Sequence, residues 1–461
     1  MKSGTLKKGS RITVTIIDIT FGGEGISRHD GLVVFVPDSV RGDVLHVEVV
    51  SVKKSHARAI IKNIQTPSPY RITPRCELSE TCGGCQWQHV SYEEQLRAKQ
   101  SIVADSIERI AKQNISIQDI IPNPNSFHYR CKVQYPVQSG PEDIGISIGY
   151  YRKGTHRIVD LDHCPIQAEA MDPITKFIRQ RLKPSGLPAY DERSGAGIIR
   201  HIVYRYSHSK GDILCVFVVN LKKVPSELAV MAEDLMREFP AVKGVLASHN
   251  TEKTNVIMGK SLSLIRGAYF ITETIGKWSF RISAESFFQV NPPVAKKILD
   301  EALSIIERAT ESPSILDVYS GVGTFTLYLS DYASELLSVE ESPSSIRDLK
   351  ENIEQAGLKS KVSHIQGDAA RVLDGLVKEK RVFDVTILDP PRKGCGESLL
   401  KAVSTLTRRH IIYVSCDPTT MSRDIAILAA LGFSLQSVRP FDMFSHTYHI
   451  ECLAHLSRLA P

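Results

Sequence analysis

Two stretches near the carboxyl end carry groups that could make and break covalent bonds. "YVSCDP" places Cys416 between a β-branched run and an Asp-Pro pair, and "HTYHIECL" offers Glu451 with His446 and His449 close by. A thiolate is a nucleophile that forms covalent intermediates, and a carboxylate can serve as the general base for a later proton loss. Position alone favours plainer roles. A lone cysteine ending a strand is as a rule a small buried hydrophobe, and Glu451 would be a surface residue on an edge strand. A second group of sulfurs lies far upstream: "RCELSETCGGCQWQH" holds Cys76, Cys82 and Cys85, a spacing open to a disulfide knot, a metal site or a reactive thiol.

Composition narrows the choice. A chain of 461 residues, 42% of them hydrophobic, can bury cores for two or three domains. The opening "MKSGTLKKGSRITV" lacks the apolar stretch of a signal peptide, and no later run reaches the length of a membrane span. A cytoplasmic protein is expected, with no membrane partner. Thiols stay reduced there, and nine cysteines are an odd number, so a disulfide framework is disfavoured. The net charge of +6 and pI near 8.7 permit a polyanionic partner without requiring one.

Several kinds of element must position these residues. Residues 1–64 read as short β-branched runs broken by "FGGEG", "RHDG" and "VRGD", which predicts a small OB-like β-barrel. Its residues 1–63 hold ten Lys/Arg against six Asp/Glu, a bias suited to tracking nucleic-acid backbone. A Pro-rich linker, the cysteine segment and a helical pattern through Leu96, Ile102, Val103, Ile107 and Ile110 follow. Residues 127–270 are rich in strands. There Arg130, Lys132, Arg152, Lys153, Arg200 and Arg205 interleave with Tyr129, Tyr135, Tyr150, Tyr151, Tyr204 and Tyr206, a pattern open to RNA contact or to an ordinary sheet with a basic outer side. From about Glu285, helices alternate with buried strands, which predicts an α/β, doubly wound, Rossmann-like sheet.

Ligands of such sheets lie beyond the carboxyl ends of the strands. "DVYSGVGTFTLYLS" has Gly321 and Gly323, but Thr326 stands where a dinucleotide fingerprint needs a third glycine. Glu340 ends the second strand, where a carboxylate would accept from ribose hydroxyls; Asp368 follows the third and Asp389 ends the fourth. This order matches the class I S-adenosylmethionine-dependent methyltransferase fold. Beside a methyl donor, Cys416 gains a purpose. Carbon 5 of uracil is too weak a nucleophile to attack a sulfonium methyl, but thiolate addition at carbon 6 makes an enolate that can, and a base must then remove the carbon-5 proton. DNA cytosine-5 methylation also uses a cysteine, but in a Pro-Cys motif after an earlier strand, whereas this chain has Ser415-Cys416-Asp417.

The segments "FGGEGISR", "CGGCQWQH", "YRCK", "FFQVNP", "LDVYSGVGTFTL", "LDPPRKG", "YVSCDPTTMSRD" and "FDMFSHTYHIE" resemble the RNA (uracil-5-)-methyltransferase family over nearly the whole chain. The likeness is to its 23S ribosomal RNA branch, with an N-terminal TRAM barrel and an iron–sulfur cluster. The resemblance implies Cys416 as nucleophile and Glu451 as base, with Gln289, Tyr319, Thr324, Glu340, Asp368 and Asp389 at the S-adenosylmethionine site. It also implies Cys76, Cys82, Cys85 and Cys164 as ligands of a 4Fe–4S cluster, although four thiolates satisfy zinc equally well. The domains implied are a TRAM barrel over 1–64, a central RNA-binding domain over 65–91 and 126–270 with mixed α+β structure, and a methyltransferase domain over 92–125 and 271–461. The expected partner is 23S ribosomal RNA, met by a monomer. Methylation of a transfer RNA uridine and a non-enzymatic iron–sulfur RNA-binding factor are the alternatives. The family often has proline at Ser445, which leaves the local turn open.

Overall fold

The computed structural model describes residues 6–140 and 145–459. The amino-terminal runs form β1 (Arg11–Thr15), β2 (Asp18–Ile19), β3 (Gly25–His29), β4 (Leu32–Val36), β5 (Val44–Val52) and β6 (His56–Thr66), in the order β1-β5-β6-β4-β3-β2. In β5, Leu45, Val47 and Val49 are buried and alternate with more exposed residues. That period of two turns one face of each strand onto a core of Val34, Leu45, Val47, Ala57 and Ala59.

The helical pattern after the cysteine segment becomes α1 (Tyr92–Ser106), continued by a π-helical turn over Ile107–Ala111. Ile102, Val103 and Ile107 are buried, whereas Ile110 is 41% exposed. The wider π turn changes the angular step between residues and carries Ile110 off the apolar face. The helix also buries Glu94, Gln95 and Lys99, which apolar periodicity could not foresee because each is matched by a distant partner. Arg41 of the barrel donates to Glu94 at 2.8 Å. Lys99 Nζ lies 2.5 Å from Asp442 Oδ1 with both side chains at most 1% exposed, and it donates to the Phe444 carbonyl at 3.0 Å. Removing one member of such a pair leaves a buried charge without compensation. Lys99→Met is therefore expected to lower the unfolding free energy by about 3–5 kcal/mol. Urea denaturation followed by the fluorescence of Trp87, whose ring is 5.9 Å from Lys99 Nζ, checks this; a loss near zero would show that the pair contributes nothing net.

The central region contains β7 (Lys132–Ser139), β8 (Ile146–Tyr151), β9 (Ile158–Asp160), α2 (Met171–Leu182), β10 (Ile199–Tyr206), β11 (Ile213–Val219), α3 (Ser226–Glu238), β12 (Val242–His249) and β13 (Ser261–Gly267), with sheet order β13-β12-β11-β10-β7-β8-β9. Much of the basic and aromatic alternation, open to RNA contact or to a basic outer side, is interior and serves neither. Tyr129, Tyr135, Tyr204, Arg200 and Arg205 are all buried. Arg205 donates to the carbonyls of Ala284 and Ser286, and so ties the sheet to the next segment. Tyr151, Arg152 and Lys153 stay at the surface.

After the hairpin of β14 (Phe270–Ile275) and β15 (Trp278–Ser283) and the helix α4 (Pro292–Ala309) comes the carboxyl-terminal sheet. Its elements are β16 (Ser314–Val318), α5 (Thr324–Leu329), β17 (Glu335–Glu340), α6 (Pro343–Gln355), β18 (Val362–Gln366), α7 (Ala369–Lys378), β19 (Phe383–Leu388), α8 (Glu397–Leu406), β20 (Thr407–Ser415), α9 (Pro418–Ala430), β21 (Phe433–Phe441) and β22 (Glu451–Arg458). The strand order is β18-β17-β16-β19-β20-β22-β21. The first five strands are parallel, and β22 is antiparallel to both neighbours. The order reverses between β16 and β19, which opens a crevice at their carboxyl ends. Because β22 is interior, Glu451 is not an edge residue; it is buried. The segment after α1 runs beside this sheet: Gln118 donates to the Val438 carbonyl, and Ile121 to that of Pro440. Among the described residues, no helix is long and apolar enough to cross a membrane.

Candidate active site

The register of β20 and β22 brings the thiol and the carboxylate together. Ser415 pairs with Cys452, so the next step in each chain sets Cys416 opposite Glu451. Asp417 then caps α9, accepting from Thr419 N at 2.8 Å and Thr420 N at 3.2 Å, which ends the strand and fixes the turn that carries Cys416. Cys416 is half-buried.

The loop leading into Glu451 is held from three sides. Asp442 N donates to the Ile121 carbonyl at 2.9 Å. Ser445 Oγ donates to Asp442 Oδ2 at 2.6 Å and accepts from Asn123 Nδ2 at 3.0 Å. A serine at this turn thus supplies hydrogen bonds that a proline could not. His446 has φ +64°, a costly region for a non-glycine residue, and its surroundings over-determine it. Its N–H donates to Gln95 Oε1 at 2.9 Å, its carbonyl accepts from Gln86 N and Trp87 N at 3.0 and 2.9 Å, and its ring stacks on Phe127 at 4.2 Å. Gln86 and Trp87 directly follow Cys85, so the cysteine segment grips the loop that delivers Glu451.

Beyond the strand ends, Gln289, Tyr319, Thr324 and Asp389 line one cavity together with Ser320, Gly321 and Phe287. Tyr319, Gly321 and Gly323 all have positive φ, of 67°, 58° and 91°, which coils the backbone tightly after β16. A Cβ on Gly323 would meet Leu349 Cδ1 at 2.5 Å. Glu340 accepts from Gly321 N at 2.8 Å and Ser342 N at 2.7 Å, which fixes its carboxylate at the end of β17. Asp368 instead caps α7, accepting from Arg371 N at 3.1 Å, and neither it nor Glu340 lines this cavity. Burial raises Asp317 to about 7, and burial with the charge of Asp317 raises Asp389 to about 7. Asp317 Oδ1 and Asn291 Oδ1 are buried without a protein partner.

Cys76, Cys82, Cys85 and Cys164 line a second, separate cavity with Tyr150 and Ile166. Gly84 N donates to Cys82 Sγ at 3.4 Å. Burial pushes Cys85 up to about 11 and Cys164 up to about 12, so these sulfurs would need a cation to ionise together. Among the described residues, no three His, Cys, Asp or Glu side chains are placed to hold a single metal ion.

Residues 259–459 match the family model for tRNA (uracil-5-)-methyltransferase, and residues 5–62 match the TRAM domain. An uncharacterized RNA methyltransferase of Bacillus cereus is 34% identical over 455 residues, 98% of each chain. One from Halalkalibacterium halodurans is 36% identical over 452 residues, again 98% of each. The chain belongs to the tRNA (uracil-5-)-methyltransferase family. Among solved structures, the Pyrococcus abyssi tRNA (uracil-54, C5)-methyltransferase in complex with S-adenosyl-L-homocysteine superposes with a TM-score of 0.76 at 25% identity, covering 96% of this chain and 100% of that one. This protein is thus an S-adenosylmethionine-dependent RNA methyltransferase carrying an N-terminal TRAM domain, and a non-enzymatic role is set aside.

The methyltransferase has a group at its centre to which sequence reasoning gave no role. Burial, and after it the charge of Glu451, push the Cys416 thiol up to about 12 against the opposing pull of the Arg392 guanidinium, which is hydrogen-bonded to the thiol. Arg392 also favours the ionised form of Glu451, which burial and Asp389 hold well above the ordinary carboxylate range. The only signal was a cation three residues after Asp389 in "LDPPRKG". The thiolate fraction falls tenfold for each unit by which the thiol rises above the working pH. Arg392→Gln is therefore expected to slow formation of a covalent RNA adduct by roughly ten- to hundredfold near neutral pH, with the rate still climbing as pH rises. Single-turnover measurements across pH check it; a wild-type profile would remove Arg392 from this role.

Proposed function

We propose that the enzyme methylates carbon 5 of a uridine in 23S ribosomal RNA, forming 5-methyluridine through a covalent bond between Cys416 and carbon 6. The observation that carries this reading is that the register ending at Ser415 and Cys452 brings Cys416 close enough to Glu451 for each to feel the other or Asp389, a residue lining the cavity with Gln289. S-adenosylmethionine supplies an electrophilic methyl group when bound. Glu340, with its carboxylate already oriented, suits ribose hydroxyls, and the coiled backbone at Gly321 lets a ligand approach closely. Gln289, Tyr319, Thr324 and Asp389 complete that site, whereas Asp368 caps α7.

Cys416 loses its proton to solvent and adds to carbon 6 as a thiolate; the electron pair of the carbon 5–carbon 6 bond then forms the new bond to the methyl carbon as the methyl–sulfonium bond breaks, its pair staying on the departing thioether sulfur. Two anions side by side are unfavourable, so a thiolate at Cys416 is easier beside a protonated Glu451. Once the Cys416 sulfur is a thioether its charge has left, so Glu451 can release its own proton to solvent, take the carbon-5 proton as a carboxylate, and allow the thiolate to depart as the carbon 5–carbon 6 double bond re-forms. A stacked, paired base hides carbon 6, so the uridine must be splayed out of its helix.

The four cysteines lining the second cavity suit a 4Fe–4S cluster by residue type, and we assign them that role. Iron and sulfide in anaerobically purified protein test it, and one zinc per chain in their place would replace it. No electron from the cluster is required, because the uracil supplies the pair for the new bond. Nine free cysteines support a reducing, cytoplasmic setting. Barrel and cysteine group together favour ribosomal RNA. The full-length likeness to the Pyrococcus abyssi transfer RNA enzyme favours a second reading, a transfer RNA uridine. Mapping 5-methyluridine in both RNAs of a deletion strain separates them: loss from 23S RNA supports the first, and loss confined to transfer RNA replaces it with the second.

A further inference from the structure

The central sheet carries a cavity that the methyl-transfer chemistry does not use. Tyr135, Val137, Ile202 and Tyr204 pack into the core shared with α2 and α3. Their neighbours Pro136, Gln138 and His201 alternate with them, so they face away from those helices. A cavity of about 480 Å³ lies over these residues, walled by Tyr151 and by the loops 155–157 and 190–193. It shares no lining residue with the cavity of Gln289 and Asp389.

Two of its lining side chains carry buried polar atoms without protein partners. Arg200 is 6% exposed and lines the cavity. Its guanidinium stacks on Tyr190 at 4.4 Å and donates to the carbonyls of Asn250 and Glu252 at 2.9 and 2.7 Å, but its Nε is buried and unpaired, as is Nδ1 of His201. Burial and the charge of Arg200 lower His201 to about 4, so its ring is neutral and offers one donor and one acceptor. At the wall, Glu192 accepts from Tyr151 Oη at 3.2 Å and lies 3.2 Å from His156 Nδ1, which fixes the tyrosine ring. Asp191 is occupied by its own turn, accepting from Arg193 N and Ser194 N at 2.9 and 2.7 Å. The exposed guanidinium groups of Arg157 and Arg193 form no ion pair among the described residues. Tyr151 and His156 also border a shallow groove past Arg152 and Lys153 to Gly83 and Gly84 of the cysteine segment. A strand of RNA could run along it between the cavity and the barrel, where Lys153 meets Asp38 at 2.8 Å.

A fixed aromatic ring, neutral edge-reading groups and free guanidinium groups at the rim are what an unstacked nucleotide needs. We infer that this cavity receives one nucleotide of the substrate RNA other than the methylated uridine, its base against Tyr151, its edge toward His201 and Arg200, and its phosphate between Arg157 and Arg193. It would hold RNA in register while the target base is splayed out elsewhere. The inference is independent of which RNA is the substrate.

The test uses the full-length enzyme, labelled S-adenosylmethionine and total RNA from a deletion strain. The double variant Arg157→Glu/Arg193→Glu and the variant Tyr151→Ala are each expected to raise KM for RNA about tenfold or more with kcat within about twofold of wild type. Ultraviolet crosslinking of the unaltered enzyme to the same RNA is expected to mark a peptide containing Tyr151 or Tyr190, and it does not depend on how a variant folds. A KM within about twofold of wild type in both variants, or the absence of such a crosslink, overturns the inference. Titration with AMP, GMP, CMP and UMP separates the other source of the same chemistry: a mononucleotide that binds here tightly while both variants keep wild-type KM for RNA would make this an effector site instead.

Discussion

Replacing Cys416 with alanine is expected to abolish methyl transfer and the covalent RNA adduct together. The sulfur has no substitute in its surroundings: Cys452 is the neighbouring thiol, but it is fully buried and burial holds it well above the ordinary thiol range. Removal of a nucleophile from groups that act as a unit costs on the order of 10⁴-fold or more, because the enolate is then never formed and the weak carbon 5 must attack unaided. The measurement is transfer of labelled methyl to RNA, with denaturing electrophoresis for the adduct. Turnover near wild type would refute the role of Cys416, and an adduct surviving in the variant would place the attacking atom elsewhere.

Glu451→Gln separates the two halves of the reaction. The amide keeps the size of the side chain and removes its capacity to take a proton, so attack and methyl transfer proceed and the release step is expected to slow by about 10²–10⁴-fold. The variant should accumulate enzyme bound to methylated RNA. Asp389 is the competing carboxylate, since its charge is felt by both Glu451 and Cys416. In the proposed scheme Asp389→Asn weakens binding and positioning without trapping the adduct. If Asp389→Asn trapped it and Glu451→Gln did not, the assignments of base would be exchanged.

How much of this was legible in the chain follows from which forces act locally. The strands of the carboxyl-terminal sheet could be read because parallel strands, buried on both faces, are short unbroken apolar runs, and the polar residue ending each run has to lie in the crevice. Glu340, Asp389 and Cys416 were found in that way. Alternation in the central sheet failed for the opposite reason: it marks two faces without saying which is covered. Arg200, Arg205 and Tyr204 proved to be interior, whereas Tyr151, Arg152 and Lys153 reach the surface. In α1, the apolar pattern left out Glu94, Gln95 and Lys99, yet these are buried, with partners in the barrel and in the loop 442–446.

By itself, then, the sequence determined the order of the elements and the parallel sheet with its crevice, because each rests on residue type and local period. Only the tertiary structure decided that β22 lies between β20 and β21. That placement turns Glu451 from an expected edge residue into a buried partner of Cys416, and it depends on antiparallel hydrogen bonding to both neighbouring strands, which no local pattern encodes. The same holds for Arg392 beside the thiol, which comes from a different strand end, and for the grip of Gln86 and Trp87 on His446, which joins segments hundreds of residues apart.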